Sequence, residues 1–308
     1  MKIISAPEMM RKESAPICMA AGFFDGVHRG HIRILNQAAS LAGRLHGKAW
    51  ALTFDSHPLN TLKPSRSPEM LTSLPHKLRL LKQAGMDGCL VLRFNRRLAN
   101  MDPLAFLGFL FDSVPTLRHI VVGHDWRFGK SGAGDAVMLK REAAKRGIRV
   151  RVVRHLEKNG KSISSTRIRE CVMHGRLDEA AAMLGRPFSI RGTVERGRRI
   201  GRKLGFPTAN LDPHNEARPP NGVYAAKADV GKHRLLPGVV NIGTNPTFTR
   251  RNPARIELHI PGYNGNLYGR EIEVFFLRKL RNERRFTSPA ALARRIAVDI
   301  RMALAVDE

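Results

Sequence analysis

The order of patterns along the chain predicts an α/β domain followed by a small β domain. The first is a doubly wound parallel sheet over residues 1–187, the second an antiparallel β-barrel with a closing helix over 188–308. Three observations carry this expectation. Between residues 17 and 155, apolar runs alternate with stretches of helical periodicity, an order that implies parallel strands joined by right-handed crossovers. Beyond Gly185-Arg186-Pro187 the pattern changes to short β-rich runs separated by Gly, Pro and Asn. The 308 residues also exceed the roughly 250–300 at which a single core stops growing, and 43% hydrophobic content fills two.

The elements follow in order. Residues 17–21, an unbroken apolar run, read as a buried strand, and Ile32, Leu35, Ala38, Ala39, Ala42 and Leu45 recur at helical spacing after it. A strand at 49–54 ends in the turn signal Asp55-Ser56-His57-Pro58. A helix at 75–84 and a strand at 89–94 come next. Asp102 as N-cap and Pro103 at the first helical position open a helix to residue 113. A strand at 118–123, a helix at 136–146, a strand at 148–155, a helix after Ser164-Ser165-Thr166 and a short helix at 178–184 complete the first half. In the second half, residues 189–194, 223–228, 236–242, 255–260 and 271–277 read as strands, and Ser288-Pro289 caps a last helix over 290–305.

Composition excludes several classes. There is no run of 18 apolar residues, and the N-terminus has neither the apolar core nor the cleavage pattern of a secretory signal, so a soluble cytoplasmic protein with no membrane partner is expected. Cys18, Cys89 and Cys171 are too few and too dispersed for a disulfide framework or a zinc site. The net charge of +27 by itself suggests a nucleic-acid partner, although anionic small molecules also favour a positive field. The basic residues are scattered, and no surface of interleaved aromatics and arginines is apparent. A solvated basic surface is therefore preferred over a nucleic-acid role, and most of the excess charge has no assignment.

The stretch 22–31, GFFDGVHRGH, lies where the first strand turns into a helix. Gly22 and Gly26 let backbone approach a bound group, and the helix start offers free N–H groups and a partial positive charge, so an anion is its natural occupant. His28 and His31 are spaced to aim two imidazoles at that anion and to donate hydrogen bonds to charge growing during phosphoryl or nucleotidyl transfer. Residues 123–135, GHDWRFGKSGAGD, nearly spell a phosphate-binding P-loop, but five residues separate Gly123 from Gly129 where the motif needs four. In ISSTRIR, residues 163–169, three hydroxyls stand at a helix mouth with Arg169 one turn on. In GRKLGFPTANL, residues 201–211, Thr208 and Asn210 face one way in an extended segment and present hard oxygen donors suited to Mg²⁺. Glu257 alternates with Ile256 and Leu258, on the open face with His259.

These stretches carry a resemblance. GFFDGVHRGH is similar to the H-x-G-H signature of nucleotidyltransferases in the form found in bacterial FAD synthetases, and ISSTRIR is similar to their I-S-S-T-x-x-R. GRKLGFPTANL, the E-x-H strand at Glu257, Asn266-Leu267-Tyr268-Gly269 and Leu280-Arg281-Asn282-Glu283 resemble riboflavin kinases. The order and coverage are those of the bifunctional bacterial riboflavin kinase/FAD synthetase family. The resemblance implies a Rossmann-like nucleotidyltransferase domain that adenylylates FMN and a barrel that phosphorylates riboflavin, with ATP as co-substrate and Mg²⁺ as cofactor. It implies catalytic roles for His28, His31 and Arg169 in adenylyl transfer and for Glu257 as general base of the kinase. Gly22, Phe23, Asp25, Gly26, Asp125, Ser164, Ser165, Thr166, Gly201 and Gly205 are implied to bind ATP, Pro58, Phe128 and Arg281 flavin, and Thr208 and Asn210 the metal. Two other readings are a chain with one working activity and a basic nucleic-acid binder built on the same scaffold.

Overall fold

The computed structural model describes residues 1–197, 201, 204–214, 217–231, 235–243 and 255–306. Arg202 and Lys203 of the GRKLGFPTANL stretch lie outside the described residues. The chain divides into two compact units, the first 1–70 with 74–165, the second 71–73 with 166–308.

The first unit holds strands β1 (Lys2–Ile4), β2 (Ile17–Ala21), β3 (Lys48–Phe54), β4 (Gly88–Leu92), β5 (Leu117–Gly123) and β6 (Arg149–Val153) in one sheet of order β1-β4-β3-β2-β5-β6, every pairing parallel. Its helices are α1 (Arg29–Arg44), α2 (Pro58–Leu62), α3 (Leu74–Gln83), α4 (Arg96–Ala99), α5 (Pro103–Ser113) and α6 (Ala136–Ala144). The doubly wound sheet follows from strands that are apolar on both faces. Ile17 and Met19 of β2 pack with Phe106, Leu110 and Leu139 of α5 and α6, while Cys18 and Ala20 pack with Leu35, Ala38 and Leu81 of α1 and α3. Asp102 caps α5 as expected, accepting the Leu104 and Ala105 N–H groups at 2.8 and 3.4 Å. A hairpin, β7 (Glu157–Lys158) with β8 (Lys161–Ser162), follows β6. The chain turns from β3 on one side of β2 to β5 on the other, so the switch point of the sheet lies beyond the C-terminal ends of β2 and β5, where ligands bind in such folds.

The second unit begins with α7 (Ser165–Met173), shared at its first residue, and α8 (Leu177–Leu184). Strands β9 (Phe188–Glu195), β10 (Ala209–Asp212), β11 (Gly222–Asp229), β12 (Leu235–Gly243), β13 (Arg255–His259) and β14 (Glu271–Arg281) close into an antiparallel barrel of order β10-β13-β12-β11-β14-β9. Five of these strands are the predicted ones, and the extended segment expected at Thr208 and Asn210 supplies the sixth, β10. Tyr224, Val240, Ile256, Leu258, Val274 and Phe276 are buried in the barrel. Closing helix α9 (Pro289–Leu304) starts at Ser288, which accepts the Ala291 N–H at 3.2 Å, and Ala303 and Ile300 pack on Val223, Ala225 and Val239. The three cysteines are free and buried, and among the described residues no helix is long and apolar enough to cross a membrane.

Candidate functional site

The stretch GFFDGVHRGH occupies the switch point. Gly22 continues β2 by donating to the Leu52 carbonyl at 3.1 Å. The chain then doubles back through Phe24 and Gly26, both at positive φ, into a short 3-10 turn, and α1 starts at Arg29 with His28 as its N-cap. The Nδ1 of His28 accepts the His31 N–H at 3.3 Å, so its neutral ring carries the proton on Nε2, available to donate. The two imidazoles stack with centroids 3.6 Å apart. Gly30 packs closely under that stack: a Cβ there would sit 3.0 Å from the His28 ring, which would have to shift by a few tenths of an ångström. Gly22 has a similar reason: a Cβ would press on the Phe24 ring at 2.9 Å, so close packing within the loop calls for the glycine. Burial, with the neighbouring His28 and Lys77, holds the His31 imidazole well below its ordinary value, and its Nδ1 is enclosed with no hydrogen-bond partner among the described residues. Asp25 is buried.

Other predicted residues reach the same end of the sheet. Ser165, the last residue of the first unit, donates its Oγ–H to the Asp25 carbonyl at 2.9 Å. Ser164 belongs to the first unit, and Thr166 and Arg169 are grouped with the second. His57 meets Phe23 edge to face at 5.1 Å and caps α2, whose first residue is Pro58. Asp125 follows β5, with Oδ1 3.9 Å from His155 Nε2. Phe128 pairs with Gly134 across the loop and is buried against Phe106 and Trp126, a core position. Sequence reasoning missed Lys77, whose buried ammonium donates to the Phe23 and Phe54 carbonyls at 3.2 and 2.9 Å.

In the barrel, strand register assembles the second cluster. Asn210 on β10 stands opposite Glu257 on β13, which stands opposite Asn241 on β12. These three, with Thr208, line a cavity of about 360 Å³ whose other wall includes Phe286 and Leu292. Burial raises the Glu257 carboxyl above its ordinary value, Arg255 pulls it back and Glu283 pushes it further up. His259 lines the same cavity, on the face shared with Glu257 as expected, but little of it is exposed, and its Nδ1–H donates to the Pro207 carbonyl at 2.7 Å, steadying the segment that carries Thr208. A side chain at Gly197 would overlap the Asn210 carboxamide. A side chain at Gly201 would overlap the Phe206 backbone carbonyl and press on Thr208, and Gly205 turns the chain at φ 85°. Arg281 grips Asp299 of α9 through Nε and Nη2 at 2.9 and 2.8 Å, so its guanidinium serves the wall of the cavity. Thr208 also lines a neighbouring cavity of about 500 Å³ with Pro207, Tyr263, Asn266 and Tyr268. Asn241 and Asp299 were not singled out from sequence, and Glu283 entered only within Leu280-Arg281-Asn282-Glu283 with no role of its own, since their meaning depends on register and tertiary pairing.

A parallel sheet with an H-x-G-H turn at its switch point, joined to a barrel with a carboxylate beside hard oxygen donors, defines a two-domain transferase acting on nucleotides. A family described as FAD synthetase matches residues 10–167, and one described as riboflavin kinase matches residues 184–306. The bifunctional riboflavin kinase/FMN adenylyltransferase of Escherichia coli (strain K12) is 36% identical over 282 residues, 91% of this chain and 90% of that protein. The one from Bacillus subtilis (strain 168) is 33% identical over 296 residues, 94% and 92% of the two chains. A solved structure described as a macrolide-efflux protein from Streptococcus pneumoniae has a TM-score of 0.84 at 27% identity, covering 98% of this chain and 99% of that one. The chain belongs to the bifunctional riboflavin kinase/FMN adenylyltransferase family.

Proposed function

We propose that residues 188–308 transfer the γ-phosphoryl group of ATP to riboflavin, giving FMN and ADP, and that residues 1–187 join FMN to the adenylyl group of a second ATP, giving FAD and pyrophosphate. The observation that carries this reading is the presence in one chain of two clusters suited to attack at two different phosphorus atoms. One is the carboxylate in register with Asn210, the other the imidazole pair at a helix mouth.

In the kinase reaction Glu257 takes the proton of the riboflavin hydroxyl as its oxygen attacks the γ-phosphorus. Its raised affinity for protons brings it closer to that task than an exposed carboxylate. The flavin ring lies in the cavity walled by Phe286 and Leu292, with Arg281 fixing that wall, and the nucleotide lies in the cavity beside Tyr263 and Tyr268. Thr208 borders both cavities, so the transferred group passes beside it. Its hydroxyl and the Asn210 amide oxygen fit Mg²⁺, which supplies charge neutralisation to the phosphates when bound. Among the described residues no cluster of three or more His, Cys, Asp or Glu could hold a metal, which suits an ion that takes its remaining ligands from phosphate and water.

In adenylyl transfer His28 and His31 donate to the α-phosphate as the FMN phosphate attacks it in line, and Arg169 stabilises the departing pyrophosphate. Gly22, Phe23, Asp25, Gly26, Asp125 and the ISST hydroxyls frame the ATP, and Pro58 lies toward the flavin, while Phe128, buried against Phe106 and Trp126, supports the loop after β5 from the core side. No side-chain nucleophile is needed. A time course with riboflavin, ATP and Mg²⁺, followed by chromatography, tests the reading: FMN appears first and FAD after it. FMN alone would retire the first activity, and no product would retire both.

A further inference from the structure

Lys77 is among the largest fully buried side chains of the protein, and neither half of the reaction scheme uses it. Burying an ammonium is unfavourable unless its hydrogen bonds are remade, and a methionine would fill the same space without that penalty. Here the bonds are remade on backbone. The Nζ of Lys77 donates to the Phe23 carbonyl at 3.2 Å and the Phe54 carbonyl at 2.9 Å, and it lies 4.5 Å from the Phe23 ring centroid. Phe54 ends β3, and Phe23 is the second residue after β2. Thr53 Oγ1 donates to the same Phe23 carbonyl at 2.9 Å. One charged group on α3 therefore ties together the C-terminal ends of two neighbouring strands at the switch point. The carbonyl it holds belongs to the loop that delivers His28 to the mouth of α1.

We propose that Lys77 is a positioning residue for adenylyl transfer, its ammonium clamping the Phe23 carbonyl to the end of β3 and thereby fixing the turn that sets the His28–His31 stack. This rests on the reading of that stack as the adenylyl-transfer site. The groups whose charges act on the ammonium are Asp25 on the turn itself, Asp55 after β3 and Cys89 on β4, while His31 on α1 feels its field. Burial raises the Cys89 thiol to about 12, which leaves it neutral, so the two carboxylates are the balancing charges. Burial also brings Lys77 down to about 8 against their pull. The clamp is therefore complete at neutral pH and loosens as pH rises past that value, when the ammonium loses its proton.

The test uses the full chain, with riboflavin phosphorylation measured in the same preparation as an internal control. K77M should lower kcat for FAD formation from FMN by about 50-fold or more, the scale set by misplacing a reacting constellation by about an ångström. The KM for ATP should stay within about threefold, and kinase turnover should be unchanged. K77R should restore a large part of the rate. Its loss of adenylyl transfer at alkaline pH should move up by more than about one unit relative to the wild-type limb near 8, because a guanidinium keeps its charge. Wild-type kcat in K77M would overturn the proposal. If K77M does not fold, K77R decides, and an alkaline limb that stays in place overturns it. A wild-type chain that makes no FAD from FMN would instead overturn the reading of the site itself.

Discussion

Glu257 can accept a proton from riboflavin only after losing its own, so the acid limb of kinase turnover reports its environment. Burial and two neighbours set that environment: burial and Glu283 favour the protonated form, and Arg255 favours the carboxylate. The limb should therefore lie above the ordinary carboxylate range, with turnover rising as pH rises through it. Replacing Glu283 by Gln removes a repulsion felt only by the ionised form, so in E283Q the limb moves to lower pH, by about half a unit. Replacing Arg255 by Met removes an attraction, and the limb moves up. Measuring kcat/KM for riboflavin against pH in both variants checks the pair of signs, and a limb indifferent to Glu283 would show that Glu257 does not set it. His31 behaves oppositely, since burial and the neighbouring His28 and Lys77 keep its imidazole neutral. On the proposed reading, what it donates to a phosphate is a neutral ring's single N–H.

At the scale of elements, the wall of the cavity proposed to take the flavin depends on how α9 is attached. An apolar seam of Ala303 and Ile300 against Val223 and Val239 holds one end. Asp299, with 2% of its side chain exposed, holds the middle by accepting from Arg281 and lying 3.0 Å from Arg295 Nε. Breaking a buried pair by removing one partner costs about 3–5 kcal/mol, because the remaining charge is left buried without compensation. D299N should therefore lower the urea midpoint of the second unit. Both tryptophans, Trp50 and Trp126, lie in the first unit, so their fluorescence transition should stay in place while the loss of kinase activity shifts. A shift of both would mean that Asp299 supports more than the barrel. The same elements show what was legible in the sequence. Helices with several turns and strands with long apolar runs, such as α1, α5 and β2, announce themselves by period and caps. β1, α2 and α4 are three, five and four residues long, too short to show a period. The hairpin at Asn159-Gly160 did carry a signal, the Asn-Gly pair, and both residues take positive φ, 55° and 68°. His28, His31 and Glu257 were found because their neighbours in sequence are also their neighbours in the site. Lys77, Asn241 and Asp299 were not, because a lone Lys on a helix or Asp near a terminus gains its role only from strands brought to it by folding.

At the scale of the whole molecule, the two chemistries share a substrate chain and no reacting group. Every reactant and product except riboflavin is anionic, which gives the net charge of +27 a general use in attracting them. His28 belongs to the first unit and Glu257 to the second, so each can be removed without touching the other's cluster. H28A should lose about 10²–10³ in FAD formation, the scale of one preorganised donor to developing charge, and should accumulate FMN from riboflavin at the normal rate. E257A should lose about 10²–10⁴ in riboflavin phosphorylation, yet make FAD normally when supplied with FMN. Mixing the two variants with riboflavin and ATP then asks how FMN travels. If it is released to solution, H28A supplies it and E257A completes FAD after a lag that shortens as total protein increases. If FMN moves only within one chain, the mixture makes no FAD although each variant is active on its own substrate. Equal loss of both activities in either single variant would show that the two clusters form one site.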